Sequence, residues 1–209
     1  MGMRTLARAA VLSAAVAVVG AIPASAQTVT FSTSGAFTGT GCSGTVCTFD
    51  GFTLTYQGAG SFSYTAPTLV DLGSFGTECI GCSSGTSAAI PAGVSFTLSI
   101  SQTNPTNGST SFVGTITGSL AFDPSSSSLV WTPTTFVSAI GGTTYSLITD
   151  QGIGIAGKIA IQAPTDNSST PNLTSVKAQI TAVPEPASMA LMATGLLGLI
   201  PVVRRRRNN

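Results

Sequence analysis

The stretch VSFTLSISQTNPTNGSTSFVGTITGSLAF, residues 94–122, decides the fold class of this chain. Its first half alternates apolar residues with small hydroxyl-bearing ones. The apolar residues of that half are Val94, Phe96, Leu98 and Ile100. This period of two is typical of a β-strand with one buried face, because successive side chains point to opposite sides. The Asn-Pro-Thr-Asn-Gly run at 104–108 then predicts a hairpin connection to a second strand.

The second strand, predicted over residues 111–122, places Phe112, Ile116, Leu120 and Phe122 on one face, with Gly114 and Gly118 between them. Three other segments alternate in the same way: Phe52, Leu54 and Tyr56; Ile153, Ile155, Ile159 and Ile161; Val176, Ala178 and Ile180. Glycines inside strands mark bulges or close backbone approaches. About nine to eleven short strands at 8–12-residue spacing predict an all-β fold, a single β-sandwich of jelly-roll or Ig-like type.

The charge of the chain is concentrated at its ends. The net charge is +1 over 209 residues, but six of the eight cations lie in the first eight and last six positions. The part between Gln27 and Val183 contains two lysines, no arginine and six carboxylates. Its net charge is therefore −4. A chain without Lys/Arg clusters has little with which to neutralise phosphates, so nucleic acid is not an expected partner.

The N-terminus is typical of a secretory signal peptide. Two arginines precede the apolar run at 9–22, and Pro23 is followed by Ala24-Ser25-Ala26, an A-x-A cleavage site. The run of fourteen residues is shorter than the roughly 20 that span a bilayer. We therefore predict cleavage after Ala26, a signal segment at 1–26 and a mature chain that begins at Gln27 outside the cytoplasmic membrane.

The four cysteines form two close pairs, Cys42 with Cys47 and Cys79 with Cys82 in sequence. Export to an oxidising compartment makes structural disulfides the favoured interpretation, with three connectivities open. A four-thiolate zinc site and a C-x-x-C redox motif are the alternatives. The first spacing is loose for a zinc knuckle, and no cation near the second pair would lower a thiol pKa.

Residues for catalysis are hard to find. The chain contains no histidine, so Ser-His-Asp and Cys-His arrangements are excluded. The carboxylates are single and scattered, which gives no marked pair for a polysaccharide hydrolase. We predict no catalytic residue, no metal and no cofactor. Trp131 is a candidate for stacking on a glycan, although lone aromatics in strands more often belong to the core.

The C-terminal tail consists of three parts: Val183-Pro184-Glu185-Pro186, an apolar run of seventeen residues at 187–203, and Arg204, Arg205, Arg206 and Arg207. The run is at the lower limit for spanning a membrane. By the positive-inside rule the arginines would stay in the cytoplasm and the β domain outside. The residues by themselves leave a plain membrane anchor open.

This tail resembles the PEP-CTERM sorting signal of Gram-negative bacteria, in which a Pro-Glu-Pro motif, a hydrophobic helix and an arginine cluster occur in this order. The resemblance implies recognition by the membrane protease-transpeptidase exosortase and removal of the helix near the motif. It also implies an inner-membrane intermediate, delivery to the cell surface or extracellular matrix, and association with exopolysaccharide and biofilm.

The sequence therefore predicts three segments: a signal peptide at 1–26, a β-sandwich ectodomain at 27–182 and a sorting signal at 183–209. A signal helix and a C-terminal hydrophobic helix would flank the sandwich. The expected function is that of a non-enzymatic surface or matrix protein whose hydroxyl-rich surface contacts polysaccharide. A carbohydrate-binding adhesin is the alternative, and a polysaccharide hydrolase is the least favoured class.

Overall fold

The computed structural model describes residues 26–122, 129–164 and 171–182, and every regular element in them is a β-strand. The strands are β1 (Gln27–Thr38), β2 (Cys42–Ser43), β3 (Val46–Phe49), β4 (Phe52–Gly58), β5 (Phe62–Ala66), β6 (Thr68–Cys79), β7 (Ser87–Ala89), β8 (Ser95–Asn104), β9 (Gly108–Thr117), β10 (Ser119–Ala121), β11 (Val130–Pro133), β12 (Val137–Ile140), β13 (Thr143–Thr149), β14 (Gly152–Ile153), β15 (Ile159–Ala160) and β16 (Asn172–Ala182). The all-β class predicted from the sequence is confirmed.

The strands form two large sheets and one small one. Sheet A has the order β15-β11-β9-β8-β1-β5. Sheet B has the order β12-β13-β16-β6-β4-β3-β2, with β14 paired to β13, while β7 and β10 pair separately. Neighbouring strands are antiparallel, and the predicted hairpin at 104–108 connects β8 to β9, with Gln102 opposite Gly108.

Buried side chains of both sheets meet around Phe96 of β8. Its ring centroid lies 4.7 Å from that of Tyr56 on β4 and 4.8 Å from that of Phe75 on β6, both in sheet B. It lies 5.3 Å from the ring of Trp131 on β11, two strands away in sheet A. Edge-on and tilted ring contacts at such distances are favourable beyond the area they bury. The two large sheets therefore share one aromatic core.

Most of the predicted strand faces are buried. The predicted core residues that lie fully or almost fully buried are Phe52, Leu54, Tyr56, Val94, Phe96, Leu98, Ile100, Phe112, Ile116, Leu120, Val176, Ala178 and Ile180. These positions follow the period-two alternation, so the pattern identified the inward face of each of these strands correctly.

The predicted isoleucine strand at 153–161 is wrong. Ile153 and Ile155 are 44% and 54% exposed, and only the end of the segment, at Ile159 and Ile161, enters the core. Gly152 and Gly154 have φ angles of +130° and +66°, which L side chains rarely adopt. Gly152 begins the two-residue strand β14 and Gly154 directly follows it, so the alternation does not continue from Ile153 to Ile159.

The predicted strand at 111–122 is divided. Gly118 has a φ of +108°, so β9 ends in sheet A and β10 pairs with β7 in the small sheet. Phe122 is only half-buried, whereas Leu120 is fully buried. The glycine that looked like a member of the strand face is the point where the strand changes partner.

A β-bulge at Leu72 joins sheet A to sheet B. The register of β6 against β16 shifts there, because Val176 pairs with Gly73 and Lys177 pairs with Asp71. The carbonyl oxygen of Leu72 accepts hydrogen bonds from the hydroxyl of Tyr56, at 2.6 Å, and from that of Thr33 on β1. Burial raises the pKa of Tyr56 above its ordinary value, so this hydroxyl remains a donor.

A second polar contact lies in the core between the sheets. The hydroxyl of Tyr145 on β13 donates to Oε1 of the buried Gln102 on β8, at 2.7 Å. The Gln102 amide donates in turn to the carbonyl oxygen of Thr106 in the β8–β9 connection, at 2.9 Å. Buried polar groups that are satisfied in this way help to specify one arrangement of the sheets.

Residues 26–183 form one compact unit. The predicted signal helix and C-terminal hydrophobic helix lie outside the described residues, and the segment boundaries remain predictions. The described residues contain no helix with the length and apolar character needed to cross a membrane.

Candidate functional site

Sheet A carries no charged residue. None of its six strands contains Asp, Glu, Lys or Arg. The charged residues of the described chain instead lie in sheet B or in connections: Asp50, Asp71, Glu78, Asp150, Lys158 and Lys177. The strands of sheet A are therefore electrically neutral, and the described charges lie in the strands of sheet B and in the connections.

The outer face of sheet A presents rows of hydroxyl groups. We use the name hydroxyl face for ten of the outward Ser and Thr residues of β1, β8 and β9: Ser32, Ser34, Thr38, Ser95, Thr97, Ser99, Ser101, Ser109, Ser111 and Thr115. Ser34, Ser99 and Ser111 form one row across three strands, and Ser32, Ser101 and Ser109 form the next.

The spacing of the hydroxyl face follows from strand geometry. Neighbours within a row are about 4.8 Å apart, and successive rows are about 6.7 Å apart. Some of the hydroxyls bond to each other, as Thr38 does to Ser95 at 2.8 Å. Each hydroxyl has one donor and two acceptor positions, so such pairs retain capacity for a ligand. The face can bind a polymer rich in hydroxyl groups without having to desolvate an ion.

The free edge of sheet A carries two aromatic side chains. Phe62 of β5 is 53% exposed, and Tyr64, two residues on, is half-buried. Their ring centroids are 6.4 Å apart, and the Tyr64 ring stacks on the buried Phe31 at 5.6 Å. This packing holds the Tyr64 ring in place, while the hydroxyls of Thr30 and Ser63, which bond to each other at 2.8 Å, lie on the opposite face of the two strands.

The structure corrects the candidate glycan contact at Trp131. This side chain is 0% exposed and lies in the core against Phe75 and Phe96. Trp131 therefore cannot stack on a sugar at the surface. Tyr56 and Tyr145 are also buried, which leaves the half-buried Tyr64 as the most accessible tyrosine of the described chain.

The cysteines are paired locally. Cys42 bonds to its cross-strand neighbour Cys47 in the β2–β3 hairpin, and Cys79 at the end of β6 bonds to Cys82. Cys47 and Cys79 are fully buried and belong to the core cluster. All four cysteines are therefore in disulfides, and no free thiol remains.

The carboxylates of the described residues lie apart from one another in the fold. Asp71 lies opposite Lys177, Glu78 lies opposite Thr53, and Asp50 occupies the β3–β4 turn with a φ of 45°. Among the described residues no three His, Cys, Asp or Glu side chains are grouped as a metal site would require. The absence of catalytic, metal and cofactor residues stays a prediction.

Asp150 provides a prediction for pH dependence. Its Oδ1 accepts a hydrogen bond from the backbone N–H of Lys158 at 2.8 Å, which lowers the pKa of this exposed carboxyl below its ordinary value. A carboxyl with a lowered folded-state pKa stabilises the protein above its unfolded pKa, and this contribution disappears as the pH falls through the folded pKa. We expect Asp150→Asn to lower the urea midpoint of unfolding at neutral pH. In strong acid, where both side chains are neutral, the midpoints of the two proteins should be the same.

The check is a set of urea unfolding curves for both proteins at several pH values from neutral to strongly acid. A constant difference between the two proteins at every pH would show that Asp150 acts through something other than its charge. Ser84→Asn, in an exposed loop, serves as a control that should leave the curve unchanged.

The described residues end at Ala182, the last residue of β16 and the residue before the predicted tail at 183–209. Ala182 pairs with Thr143 of β13, so the final residue of the strand is still part of sheet B. Residues 182–207 match the PEP-CTERM protein-sorting motif. The sorting motif therefore begins at the last paired residue of the folded unit. It supports export through the membrane to the cell surface in a Gram-negative bacterium, with exosortase as the processing partner.

The comparisons identify nothing else in the chain. No curated protein and no solved structure matches it significantly. The predicted cleavage residue Ala24, the motif at 183–186 and the arginines at 204–207 lie outside the described residues, so their roles stay predictions. Gln27, the predicted first residue of the mature chain, is the first residue of β1.

Sequence reasoning missed the arrangement of the hydroxyl face and the exposed Phe62. The hydroxyl residues alternate with core residues in β1, β8 and β9, so their outward direction could be predicted. Their collection on one neutral sheet depends on strand order, which no local pattern contains. The aromatic residues Phe62 and Tyr64 alternate with Ser63 and Thr65. This pattern predicts a strand but does not predict that the strand lies at a sheet edge.

Proposed function

We propose that this chain is an exported, non-enzymatic β-sandwich protein of the cell surface or extracellular matrix, associated with exopolysaccharide and biofilm. The observation that carries the proposal is the sorting motif that follows directly on an all-β unit. The signal peptide at 1–26 delivers the chain to the membrane. Exosortase then recognises Val183 to Pro186 and removes the hydrophobic helix, while Arg204 to Arg207 hold the tail end in the cytoplasm.

The hydroxyl face supports a contact with neutral polysaccharide. It is broad, uncharged and rich in groups that both donate and accept hydrogen bonds, as the polymer itself is. A nucleic acid or an acidic polymer would need cations, and sheet A has none. A non-enzymatic role is supported by the absence of histidine, the commonest general base, from the chain.

A carbohydrate-binding adhesin is the second candidate, and the aromatic pair at the β5 edge favours it. Sugar rings stack on exposed aromatic faces, and Phe62 and Tyr64 offer two adjacent rings on a neutral edge. Binding by an adhesin would be saturable and would depend on these two rings. Contact of a matrix protein with polysaccharide would be weaker and distributed over the hydroxyl face.

Intact-mass measurement tests the processing. The full chain is expressed in a host with exosortase and in the same host lacking it, and the surface-associated product is isolated. We expect a product that begins at Gln27 and lacks 191–207 only when exosortase is present. Replacement of Pro184, Glu185 and Pro186 with alanine should give the unprocessed mass in both hosts. A surface product that retains 191–207 in the presence of exosortase would contradict the proposal and leave a simple anchor.

Affinity electrophoresis through a gel containing a neutral polysaccharide tests the binding surface. Ser99→Glu places a charge in the middle of the hydroxyl face, and Phe62→Ala removes the exposed ring. Ser175→Glu on sheet B is the matched control for charge. Loss of retardation in Ser99→Glu but not in Phe62→Ala supports the distributed contact, and the reverse result supports the adhesin. If the polysaccharide retards none of the four proteins, or retards all four equally relative to a gel without it, both binding modes are contradicted.

A further inference from the structure

Five chain segments meet at one end of the described unit, and we call this end the neutral pole. The segments are residues 27–28, 66–68, 104–108, 140–143 and 180–182. They include both ends of the folded chain, since β1 begins at Gln27 and β16 ends at Ala182. The pole therefore contains the predicted signal cleavage site and the beginning of the sorting motif.

The segments on the sheet B side of the pole are connected by pairing and close contact. Ala182 pairs with Thr143, which pairs in turn with Ile140 across the β12–β13 turn. A Cβ atom at position 141 would lie 3.0 Å from the hydroxyl oxygen of Thr106, which brings the β8–β9 connection against this turn.

The remaining segments link the β8–β9 connection to β1 and, through β5 and β6, back to β16. The Asn104 side-chain amide donates to the carbonyl oxygen of Thr28 at 2.6 Å, and Gln27 pairs with Ala66. After Pro67 the chain enters β6, where Thr68 pairs with Ile180 of β16. The pole is thus one continuous surface and not a set of separate loops.

The neutral pole contains no charged residue. Positions 27–28, 66–68, 104–108, 140–143 and 180–182 include no Asp, Glu, Lys or Arg. The charged pair nearest along these strands is Asp71 and Lys177, three residues beyond the Thr68–Ile180 pair. At about 3.3 Å per residue this pair lies roughly 10 Å from the pole. A protein that contacts the pole would desolvate no charged side chain of these segments, and the charge that it would meet there is the α-amino group that cleavage after Ala26 leaves on Gln27.

The sorting motif follows the pole without a linker. One residue, Val183, separates Pro184 from Ala182, which is paired in β16. The two residue steps from Ala182 to Pro184 span at most about 7 Å in a fully extended chain. A protease that holds Pro184 to Pro186 in its active site must therefore lie against the residues that surround Ala182. The exposed ones include Gly141, Gly142 and the β8–β9 connection.

We propose that the neutral pole is the surface on which the membrane-embedded sorting protease docks while it processes the tail. This inference rests on the proposed function, since it requires that such a protease acts on the chain. It adds that recognition extends beyond the motif to the folded unit, through the β8–β9 connection and the β12–β13 turn. The protease then recognises the motif together with the neutral surface that holds it at a fixed position.

Charge substitutions at Asn107 test the docking. Asn107 is exposed at the tip of the β8–β9 connection, and its φ is not in the left-handed region, so side chains other than asparagine are tolerated. We expect Asn107→Arg and Asn107→Glu each to slow tail removal at least fivefold in a host with exosortase. The rate of tail removal is measured by pulse labelling. Ser84→Arg and Ser84→Glu, in the loop beyond the opposite end of β6, should process at the normal rate.

A spacer provides an independent test. Ten Gly/Ser residues inserted between Ala182 and Val183 separate the motif from the pole, and docking predicts slower processing. Faster processing would mean that the folded unit obstructs the protease, and an unchanged rate would mean that it takes no part. Either result overturns the inference.

Two further outcomes are distinguishable. If Asn107→Arg accelerates processing while Asn107→Glu slows it, the pole lies on an anionic lipid surface, and the protease-docking inference is wrong. If the unaltered chain is never processed, the proposed function itself fails. Thermal unfolding of the purified variants should match that of the unaltered protein, which separates slow processing from misfolding.

Discussion

Replacing Trp131 with alanine is expected to lower the free energy of unfolding by about 3–5 kcal/mol. The indole is 0% exposed, and its ring lies 5.7 Å from that of Phe75 in sheet B and 5.3 Å from that of Phe96 in sheet A. Its strand pairs with β9 on one side and β15 on the other, so the surrounding backbone cannot collapse into the cavity. The truncation removes contacts with both sheets at once.

The measurement is guanidinium unfolding of the exported protein with its disulfides intact. Far-UV circular dichroism monitors the unfolding, because Trp131 is the single tryptophan and its replacement removes the tryptophan fluorescence signal. Trp131→Phe is the matched variant. The buried indole Nε1 has no hydrogen-bond partner among the residues that the structure describes, so its replacement removes no hydrogen bond between them, and we expect about 1 kcal/mol for the change in shape. Val137→Ala, at a half-exposed position, should have little effect. Unchanged stability in Trp131→Ala would contradict the core assignment.

The result also governs how glycan binding is tested. A Trp131→Ala protein that no longer binds a glycan would report unfolding and not a lost contact. Phe62→Ala avoids this ambiguity, since the Phe62 ring is mostly exposed and its removal opens no cavity. The lone tryptophan is therefore a stability probe, and the aromatic pair at the β5 edge is the binding probe.

The inward faces of the strands were predictable because burial imposes a period of two on each strand. The segment from Val94 to Ile100 shows this most clearly, since its four apolar residues are fully buried in the predicted pattern. The alternation failed at 153–161 because it depends on backbone direction, and positive φ angles at Gly152 and Gly154 change that direction. Glycine permits such angles but does not require them, so the residue type alone could not settle the conformation.

The candidate surfaces were less predictable, because they depend on strand order. Ser99 and Ser111 are twelve residues apart, and a hairpin prediction places them side by side. Ser34 joins the same row only because β1 pairs with β8, a contact between residues more than sixty positions apart. The neutral pole likewise exists because Gln27 and Ala182, the ends of the folded chain, come to the same end of the unit. No local pattern reports such placements.

Gly58→Ala is expected to destabilise the protein by about 3 kcal/mol, although it adds one methyl group. Gly58 lies at the end of β4, where sheet B approaches β1 of sheet A. A Cβ atom there would lie against the carbonyl oxygen of Thr33, and 2.9 Å from its carbonyl carbon. Backbone atoms cannot rotate away as a flexible side chain would, so the two sheets would have to separate locally.

That separation would break hydrogen bonds that join the sheets. The backbone N–H of Thr33 donates to the carbonyl oxygen of Ala59 at 3.0 Å, and the N–H of Ala59 donates to the Thr33 hydroxyl at 2.7 Å. The same hydroxyl reaches the carbonyl of Leu72 at the bulge, so one methyl group would disturb β1, β4 and β6 together. Each bond is worth about 1 kcal/mol net, which is why the expected cost exceeds that of a simple steric clash.

Gly60→Ala is the matched control for Gly58→Ala. A Cβ atom at position 60 meets only Phe62 Cε2, at an ordinary 3.7 Å, and the φ of Gly60 is outside the left-handed region. This variant loses backbone freedom in the unfolded state and should be neutral or more stable by a few tenths of a kcal/mol, up to about 1. The measurement is the shift in guanidinium midpoint for the two alanine variants. Equal midpoints would show that β1 and β4 do not approach each other closely at Thr33, and that the two sheets are not joined at this position.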